Sequence, residues 1–328
     1  MSRARLLRLS RTGLVVLVLA AAGYAVYRNW REVTDTVTHL AWADWLPSFV
    51  VLPVAIMCST MSWQTFVDEI GEPIGVRRGA QIFLVGQLGK YLPGSVWAYV
   101  LQLELGRRAG LARARIFTAT VFSLAVVVVA ALLTGSMAIP SLVAANPELA
   151  PLRWLYLLLL VGVVCLHPAI LTWAARLAFR LLKRPLPDHP VRKRAVVSSL
   201  AWALASYLVF GVHLWLLVRG TRSATADGPG ALGIDSVPLV IGTMAIAMIA
   251  GLFFFLLPSG AGVREVIIVA GLGGLLGTGP AIAIAAVSRV FLTVADLVTA
   301  GVAALLAIRE QRLTGPYHGD PGIAADEA

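Results

Sequence analysis

The sequence predicts an all-α, polytopic helical membrane protein with about seven or eight membrane segments, of which one or two are re-entrant or broken. Apolar residues make up 59% of the chain and charged residues only 13%, whereas soluble proteins carry about 25% charged residues. Long apolar runs recur from one end to the other. We therefore expect one transmembrane domain over residues 1–313 and a disordered cytoplasmic tail over the polar residues 314–328.

The first apolar run, residues 14–27, follows a segment that contains four arginines. Such a run belongs either to a secretory signal peptide or to a retained membrane anchor. No small-residue cleavage site stands ahead of Arg28, and further apolar runs follow. These features favour a retained anchor.

Most later runs are long enough to cross a bilayer, which needs about 20 residues. These full-length runs are residues 45–66, 116–139, 152–173, 195–218 and 281–308. Residues 237–257 also have the length but end in a Pro/Gly cluster, and residues 266–276 are too short to cross alone. This last pair either crosses and returns or dips in and out from the outside. Both arrangements bring the final span back to the cytoplasm.

Residues 80–103 form an apolar segment that is interrupted in its middle. The interruption contains Gly86, Gly89, Lys90, Pro93 and Gly94. An interruption that faces lipid leaves backbone groups unpaired, at a cost of several kcal/mol for each group. We expect a re-entrant hairpin or a broken helix that is buried among its neighbours.

The distribution of basic residues favours re-entry of residues 80–103. With re-entry, 19 of the 27 Lys and Arg residues lie on the cytoplasmic side, five lie outside and three lie within membrane segments. If the segment crossed instead, the seven basic residues at positions 176–194 would move outside. Because basic loops stay in the cytoplasm, we expect both termini on the cytoplasmic side of the plasma membrane.

A weak internal repeat accompanies this topology. The string LPGS at residues 92–95 resembles LPSG at residues 257–260, and each lies near an interruption of an apolar region. Three predicted crossings separate the two units, so the second is inverted relative to the first. Inverted repeats with broken helices are a common plan of transporters. The alternative is a coincidence between two short strings.

The first Gly/Pro motif, GQLGKYLPGSVWAY at residues 86–99, supplies the candidate binding residues Lys90, Tyr91, Pro93 and Gly94. Gly and Pro leave backbone groups free to face a ligand. A lysine there is costly in hydrocarbon unless it is paired or hydrated, and a lipid phosphate satisfies that need. The alternative is that Lys90 extends to the cytoplasmic headgroups.

The second Gly/Pro motif, PSGAGVRE at residues 258–265, supplies Pro258, Gly260, Gly262, Arg264 and Glu265. It fits a helix N-terminus with free amide groups, with Arg264 near a headgroup and Glu265 either paired with a basic residue or binding a proton. The alternative is a structural ion pair in an outer loop.

Polar residues within the spans are expected to face other helices. Arg289 and Asp296 are seven residues apart on the last span, so they share a helical face. We expect them to pair with Glu265, with Lys90, or with each other through a neighbouring group, and a purely structural role is the alternative. His167 and His213 are expected to form interhelical hydrogen bonds.

The sequence favours neither an enzyme nor a nucleic-acid-binding protein. It contains no supported nucleophile–base pair, no metal-ligand set and no nucleotide-binding loop. The net charge of +10 is spread over short loops rather than over a soluble domain. We expect no cofactor, no metal and no nucleic-acid partner.

The motifs GKYLPGSVW and PSGAGVRE, with a basic turn at residues 106–110, resemble the flippase-like transmembrane proteins related to the membrane domain of lysylphosphatidylglycerol synthase. The resemblance covers residues 14–308 and implies a helical bundle that handles lipids, in some members by moving a lipid between leaflets. The synthase activity is not implied, because it belongs to a soluble aminoacyl-transferase domain. Two departures leave the headgroup open: Ser259-Gly260 replaces Gly-Gly of some members, and Val100-Leu101-Gln102 replaces an arginine of many.

These observations favour a lipid flippase or lipid-transport protein for an anionic phospholipid or a polyprenyl-phosphate glycolipid. One alternative is a non-transporting membrane partner of a glycosyltransferase or lipid-modifying enzyme, and another is a small-solute secondary transporter. The expected partner is a membrane lipid. A homo-oligomer or a lipid-modifying enzyme as a partner is also compatible with the sequence.

Cysteine labelling tests the re-entrant topology. After Cys58 and Cys165 are replaced by alanine, single cysteines at the positions of Arg77 and Arg113 should both react from the cytoplasmic side, because re-entry returns the chain to the side from which it came. A cysteine at the position of Arg153 is the control and should react from outside. Labelling of the first two positions from opposite sides would show that residues 80–103 cross the membrane.

Overall fold

A computed structural model describes residues 27, 30–38, 42–92, 96–181, 190–224, 236–254 and 257–314. Within these ranges the regular secondary structure is helical. The predicted first span lies outside the described residues except for Tyr27, and so does the predicted tail from residue 315 onwards. Pro93 and Gly94 also lie outside the described residues.

The helices are named here in chain order. They are α1 (Trp30–Thr38), α2 (Trp42–Ile70), α3 (Val76–Gln87), α4 (Trp97–Arg108), α5 (Arg113–Gly135), α6 (Ile139–Ala145), α7 (Trp154–Cys165), α8 (Pro168–Leu181), α9 (Lys193–Ala224), α10 (Val237–Phe253), α11 (Val263–Leu276) and α12 (Thr278–Thr314). Short 3-10 turns occupy Leu88–Tyr91, Ser136–Ala138, Pro147–Arg153 and Pro258–Gly260.

Five stretches of the described helices are long and apolar enough to cross a membrane. They are Ala43–Ile70, Arg113–Ala145, Pro147–Cys165, Lys193–Thr221 and Thr278–Ile308. Each overlaps a predicted span, and the shorter apolar helix Val237–Phe253 coincides with the predicted run at residues 237–257. The prediction of a polytopic helical membrane protein is confirmed.

The predicted span at residues 152–173 is wrong in its second half. Helix α7 ends at Cys165, and α8 begins at Pro168, because proline has no amide hydrogen and disfavours helical geometry in the residue before it. The ring Nδ1 of His167 accepts a hydrogen bond from the amide of Ala169 at 3.3 Å. His167 therefore caps α8, and the prediction of an interhelical hydrogen bond for this residue is wrong.

Two helical hairpins lie between the long spans. Helices α3 and α4 have 12 residues each, so each reaches only about 18 Å of the ~30 Å hydrocarbon layer. They pack against each other on either side of a break, and its described residues 88–92 are here called the first break. Helices α10 and α11, of 17 and 14 residues, pack against each other in the same way, and residues 257–262 between them are called the second break. The first hairpin agrees with the predicted re-entry of residues 80–103.

The contacts between helices follow an approximate two-fold pattern. One unit consists of α2, the α3–α4 hairpin and α5, and the other of α9, the α10–α11 hairpin and α12. Helices α2 and α9 pack along each other, and the first arm of each hairpin packs against the last span of the other unit. The second arm packs against the last span of its own unit, and the two breaks contact each other. Two structurally repeated units produce this arrangement.

Small polar side chains join α2 to α9. The hydroxyl groups of Ser62 and Ser199 lie 3.0 Å apart, and Ser206 donates a hydrogen bond to the carbonyl of Ala55 at 2.8 Å. These contacts satisfy polar groups inside the bundle while allowing the two helices to approach closely.

His213 connects three helices at the centre of the bundle. Its side chain is fully buried on α9. The ring Nδ1 lies 2.7 Å from Oγ of Ser48 on α2, and Nε2 lies 2.9 Å from Oγ of Ser288 on α12. The predicted interhelical role of His213 is confirmed.

This network predicts a loss of stability when the imidazole is removed. In His213→Leu the hydroxyl of Ser288 loses its buried partner, so we expect the free energy of unfolding to fall by about 1–2 kcal/mol. Thermal unfolding in a mild detergent measures the change. His167→Leu, at an exposed helix cap, is the control and should cost less. An equal loss in both variants would contradict the role of His213.

Candidate functional site

The first break places Lys90 and Tyr91 against the last span. Both residues lie in the 3-10 turn Leu88–Tyr91. The Nζ atom of Lys90 lies 2.7 Å from Oδ2 of Asp296 on α12, and the hydroxyl of Tyr91 donates a hydrogen bond to the same oxygen at 2.6 Å. Asp296 therefore holds two of the predicted site residues at this break.

A glycine allows the first break to lie close to α4. A Cβ atom on Gly89 would lie 2.5 Å from the backbone carbonyl carbon of Trp97. A side chain at position 89 would therefore push the turn away from the second arm of its own hairpin. The position of Lys90 depends on this close approach.

The second break is a tight turn with backbone angles that favour glycine. Gly260 has φ 66° and Gly262 has φ 85°, and Ser259 also has a positive φ of 51°. A Cβ atom on Gly260 would lie 2.4 Å from Cα of Gly251 on α10. The turn begins at Pro258, so these predicted residues shape the backbone of the break.

Glu265 and Arg289 hold the second break in place. The amide of Gly262 donates a hydrogen bond to Oε2 of Glu265 at 2.6 Å, which caps α11. The other carboxylate oxygen, Oε1, lies 3.6 Å from Nε of Arg289. Arg289 also donates from Nη1 to the carbonyl oxygen of Ser259 at 2.9 Å. The amide of Gly262, which the sequence predicted to be free for a ligand, therefore donates to Glu265 instead.

Helix α12 therefore contacts both breaks through charged side chains. Arg289 and Asp296 lie about 10 Å apart along the helix axis. Two of the predicted pairings are present, Arg289 with Glu265 and Asp296 with Lys90. Neither carboxylate forms an ion pair with Arg264.

Arg264 lines a cavity between the two hairpins. Its Nε atom is buried and has no hydrogen-bond partner among the described residues. Gly251 leaves room for the guanidinium group, because a Cβ atom there would lie 2.5 Å from Nε. An unpaired polar group of a charged side chain is costly in a bundle of low dielectric constant. The position of Arg264 therefore favours a ligand that accepts a hydrogen bond.

The cavity has a volume of about 170 Å³. Among the described residues, the Lys, Arg, Asp and Glu side chains that line it are Lys90, Arg264 and Asp296, which gives one net positive charge. Lys90 and Arg264 line the same small cavity, so their like charges repel each other there. An anion between them would relieve this repulsion.

The sequence interpretation missed two further residues of the cavity. Gln102 on α4 and Tyr207 on α9 both line it, and only 1% and 6% of their surfaces are exposed. A single glutamine or tyrosine within a helix has no pattern that distinguishes a cavity residue from any other interhelical contact. The packing of distant helices brings these residues to the site.

The arrangement is suited to holding an anion. Two cations, one carboxylate and several neutral hydrogen-bonding groups surround a small volume, and charge-assisted hydrogen bonds from the cations to phosphate or carboxylate oxygens are strong. In the part of the chain that the structure describes, no group of three His, Cys, Asp or Glu side chains is placed to hold a metal ion.

These features define a polytopic helical membrane protein in which two helical hairpins, each with a break between its arms, meet at a charged cavity. Residues 11–300 match the family described as the lysylphosphatidylglycerol synthase TM region, so the chain belongs to this family. The match is to the transmembrane region, and no catalytic domain is identified beside it. The comparison with curated proteins gave no match.

The ion pair between Lys90 and Asp296 predicts non-additive effects on stability. Asp296→Leu leaves a largely buried ammonium group without its carboxylate, so we expect the free energy of unfolding to fall by about 3 kcal/mol. Lys90→Met should cost a similar amount, and the double variant should recover much of the loss because neither charge remains. Thermal unfolding of the four proteins measures the coupling. Additive losses would contradict a coupled pair.

Proposed function

We propose that this protein is a lipid-transport protein that binds an anionic headgroup between its two hairpins. The observation that carries the proposal is that the Nε atom of Arg264, a cavity-lining residue, is buried and has no hydrogen-bond partner among the described residues. A phosphate oxygen supplies the missing acceptor and balances the charge. The family description, which names the synthase of a lipid, supports the same substrate class.

The cavity fits a headgroup rather than a whole lipid. A volume of about 170 Å³ holds a phosphate with a small attached group, and the acyl or prenyl chains then stay in the bilayer. The proposal therefore requires a lateral opening between the hairpins. Both anionic phospholipids and polyprenyl-phosphate glycolipids meet the charge requirement.

The contacts at the first break suggest how a bound lipid moves. A phosphate on Lys90 competes with Asp296 for the ammonium group, so binding weakens the attachment of the first break to α12. The second break stays attached through Arg289 and Glu265. In this mechanism the first hairpin shifts and exposes the headgroup to the other leaflet. The sequence contains no nucleotide-binding loop, so transport is proposed to be passive or coupled to an ion.

We also propose a cell location for the protein and the absence of a catalytic activity in the chain alone. We place the protein in the plasma membrane with cytoplasmic termini, on the basis of the basic loops. The chain alone binds and moves its lipid without making or breaking a covalent bond. A homo-oligomer or a lipid-modifying enzyme as a partner is compatible with this function.

The small size of the cavity also favours a second candidate, a small-solute secondary transporter. A solute carrier encloses its ligand completely, whereas a lipid transporter leaves the cavity open towards the bilayer. A non-transporting partner of a lipid-modifying enzyme needs neither property. Lipids that copurify in a mild detergent, identified by mass spectrometry, distinguish these candidates.

Substitution of the two cavity cations tests the proposed binding. A charge-assisted hydrogen bond contributes about 1.5–3 kcal/mol, so Lys90→Ala and Arg264→Ala should each weaken binding of an anionic lipid by roughly ten- to a hundredfold. Arg264→Lys should restore only part of the affinity, because lysine lacks the planar guanidinium fork. Lipid binding and leaflet exchange in reconstituted vesicles measure these effects.

Arg153→Ala is the matched control, because Arg153 is an exposed arginine that does not line the cavity. It should bind and exchange lipid like the parent. If Lys90→Ala and Arg264→Ala also behave like the parent, the cavity is not the binding site. If both fail to accumulate in the membrane while Arg153→Ala accumulates, their charges are structural.

A further inference from the structure

Gln102 is a cavity-lining residue with a buried side-chain amide. The residue lies on α4 and is 1% exposed. Both of its side-chain polar atoms, Oε1 and Nε2, are buried and have no hydrogen-bond partner among the described residues. Each unpaired group costs roughly 1–3 kcal/mol. A buried amide with both ends unpaired therefore requires a binding partner to offset that cost.

The packing of the first hairpin fixes Gln102 at this position. A Cβ atom on Gly86 of α3 would lie 2.5 Å from Cγ and 3.2 Å from Cα of Gln102. The two arms are therefore in close contact where the side chain leaves α4. The side chain lines the same cavity as Lys90 and Arg264, so a ligand that contacts these cations comes within the reach of the amide.

The rest of the cavity lining carries no further charge and is mostly apolar, with several uncharged polar side chains among it. Beside the two cations and Asp296, its lining includes Ser59, Gln87, Ser123 and Tyr207. One net positive charge balances a phosphodiester, which carries one negative charge.

We propose that Gln102 determines headgroup specificity by hydrogen bonding to a hydroxyl group attached to the bound phosphate. An amide both donates and accepts, and a hydroxyl group does the same, so one or two hydroxyls can satisfy both atoms of Gln102. The substrate class is then a lipid whose phosphate, with one negative charge, carries a hydroxylated headgroup such as a glycerol or a sugar. This inference rests on the proposed function and names the substrate of the same site.

A pair of lipids that differ only in hydroxyl groups tests the inference. Phosphatidylglycerol and phosphatidylpropanol carry the same charge and the same chains, but the second lacks both headgroup hydroxyls. We expect the intact protein in vesicles or detergent to bind phosphatidylglycerol about tenfold more tightly. Gln102→Leu should reduce this preference to less than about twofold while leaving the affinity for phosphatidylpropanol nearly unchanged.

Gln64→Leu is the matched control. Gln64 is likewise buried, with 2% of its surface exposed, and its Oε1 has no hydrogen-bond partner among the described residues, but it does not line the cavity. This variant should keep the tenfold preference. Loss of the preference in both variants, or its retention in Gln102→Leu, would overturn the assignment.

A second variant keeps the test decisive if Gln102→Leu does not accumulate. Gln102→Glu keeps the size and adds a negative charge, so it should weaken binding of both lipids by tenfold or more. If it binds both like the parent, Gln102 does not face the phosphate site. Equal binding of the two lipids by the parent overturns the headgroup inference and leaves the proposed function intact. If the parent binds neither of these lipids nor a polyprenyl-phosphate hexose, the proposed function fails with it.

A further experiment distinguishes the two lipid classes that can supply a hydroxylated headgroup. A polyprenyl-phosphate hexose and phosphatidylglycerol share one negative charge and uncharged hydroxyls but differ in their chains. Competition between them for the parent protein identifies the preferred lipid. Weaker binding of both lipids in Gln102→Leu supports the shared chemistry, and an unchanged affinity for both contradicts it.

Discussion

Two helices are interrupted inside an apolar bundle, and the backbone groups and charges at each interruption need partners from within the protein. Helix α12 supplies them. Asp296 accepts from Lys90 and Tyr91 at the first break, and Arg289 binds the carboxylate of Glu265 and a backbone carbonyl at the second. The relative position of the two hairpins, and with it the cavity between them, depends on these contacts from one helix.

The two units share a contact pattern but not a charge pattern. The hairpins occupy equivalent places, and their breaks contact each other. The charged side chains that hold the breaks from outside the hairpins, Asp296 and Arg289, both come from α12, the last span of the second unit. The first break is therefore attached to the other unit, whereas the second is attached to its own. In the proposed mechanism, a ligand that competes for Lys90 acts on this contact between the two units.

The sequence predicted the features that depend on local composition. It predicted the long spans, the first hairpin and the charged residues that face the interior, because apolar length, Gly/Pro interruptions and the cost of buried charge are visible in a single chain. It missed the end of α7 before Pro168, because the apolar run continues across the boundary between α7 and α8. It also missed Gln102, because its role comes from the contact of α4 with α3 and from the cavity formed by distant helices. The pairing of Arg289 and Asp296 with particular partners likewise needed the packing to select among the alternatives.

The central claim is that Arg264 contacts the phosphate of a bound lipid, and a structure of the protein in a lipid nanodisc containing an anionic lipid tests it most directly. We expect density for a phosphate in the cavity, with an oxygen about 3 Å from Nε of Arg264. The lipid chains should leave the cavity between the two hairpins. A cavity that is sealed from the bilayer, with lipid density confined to the outer surface of the bundle, would contradict it.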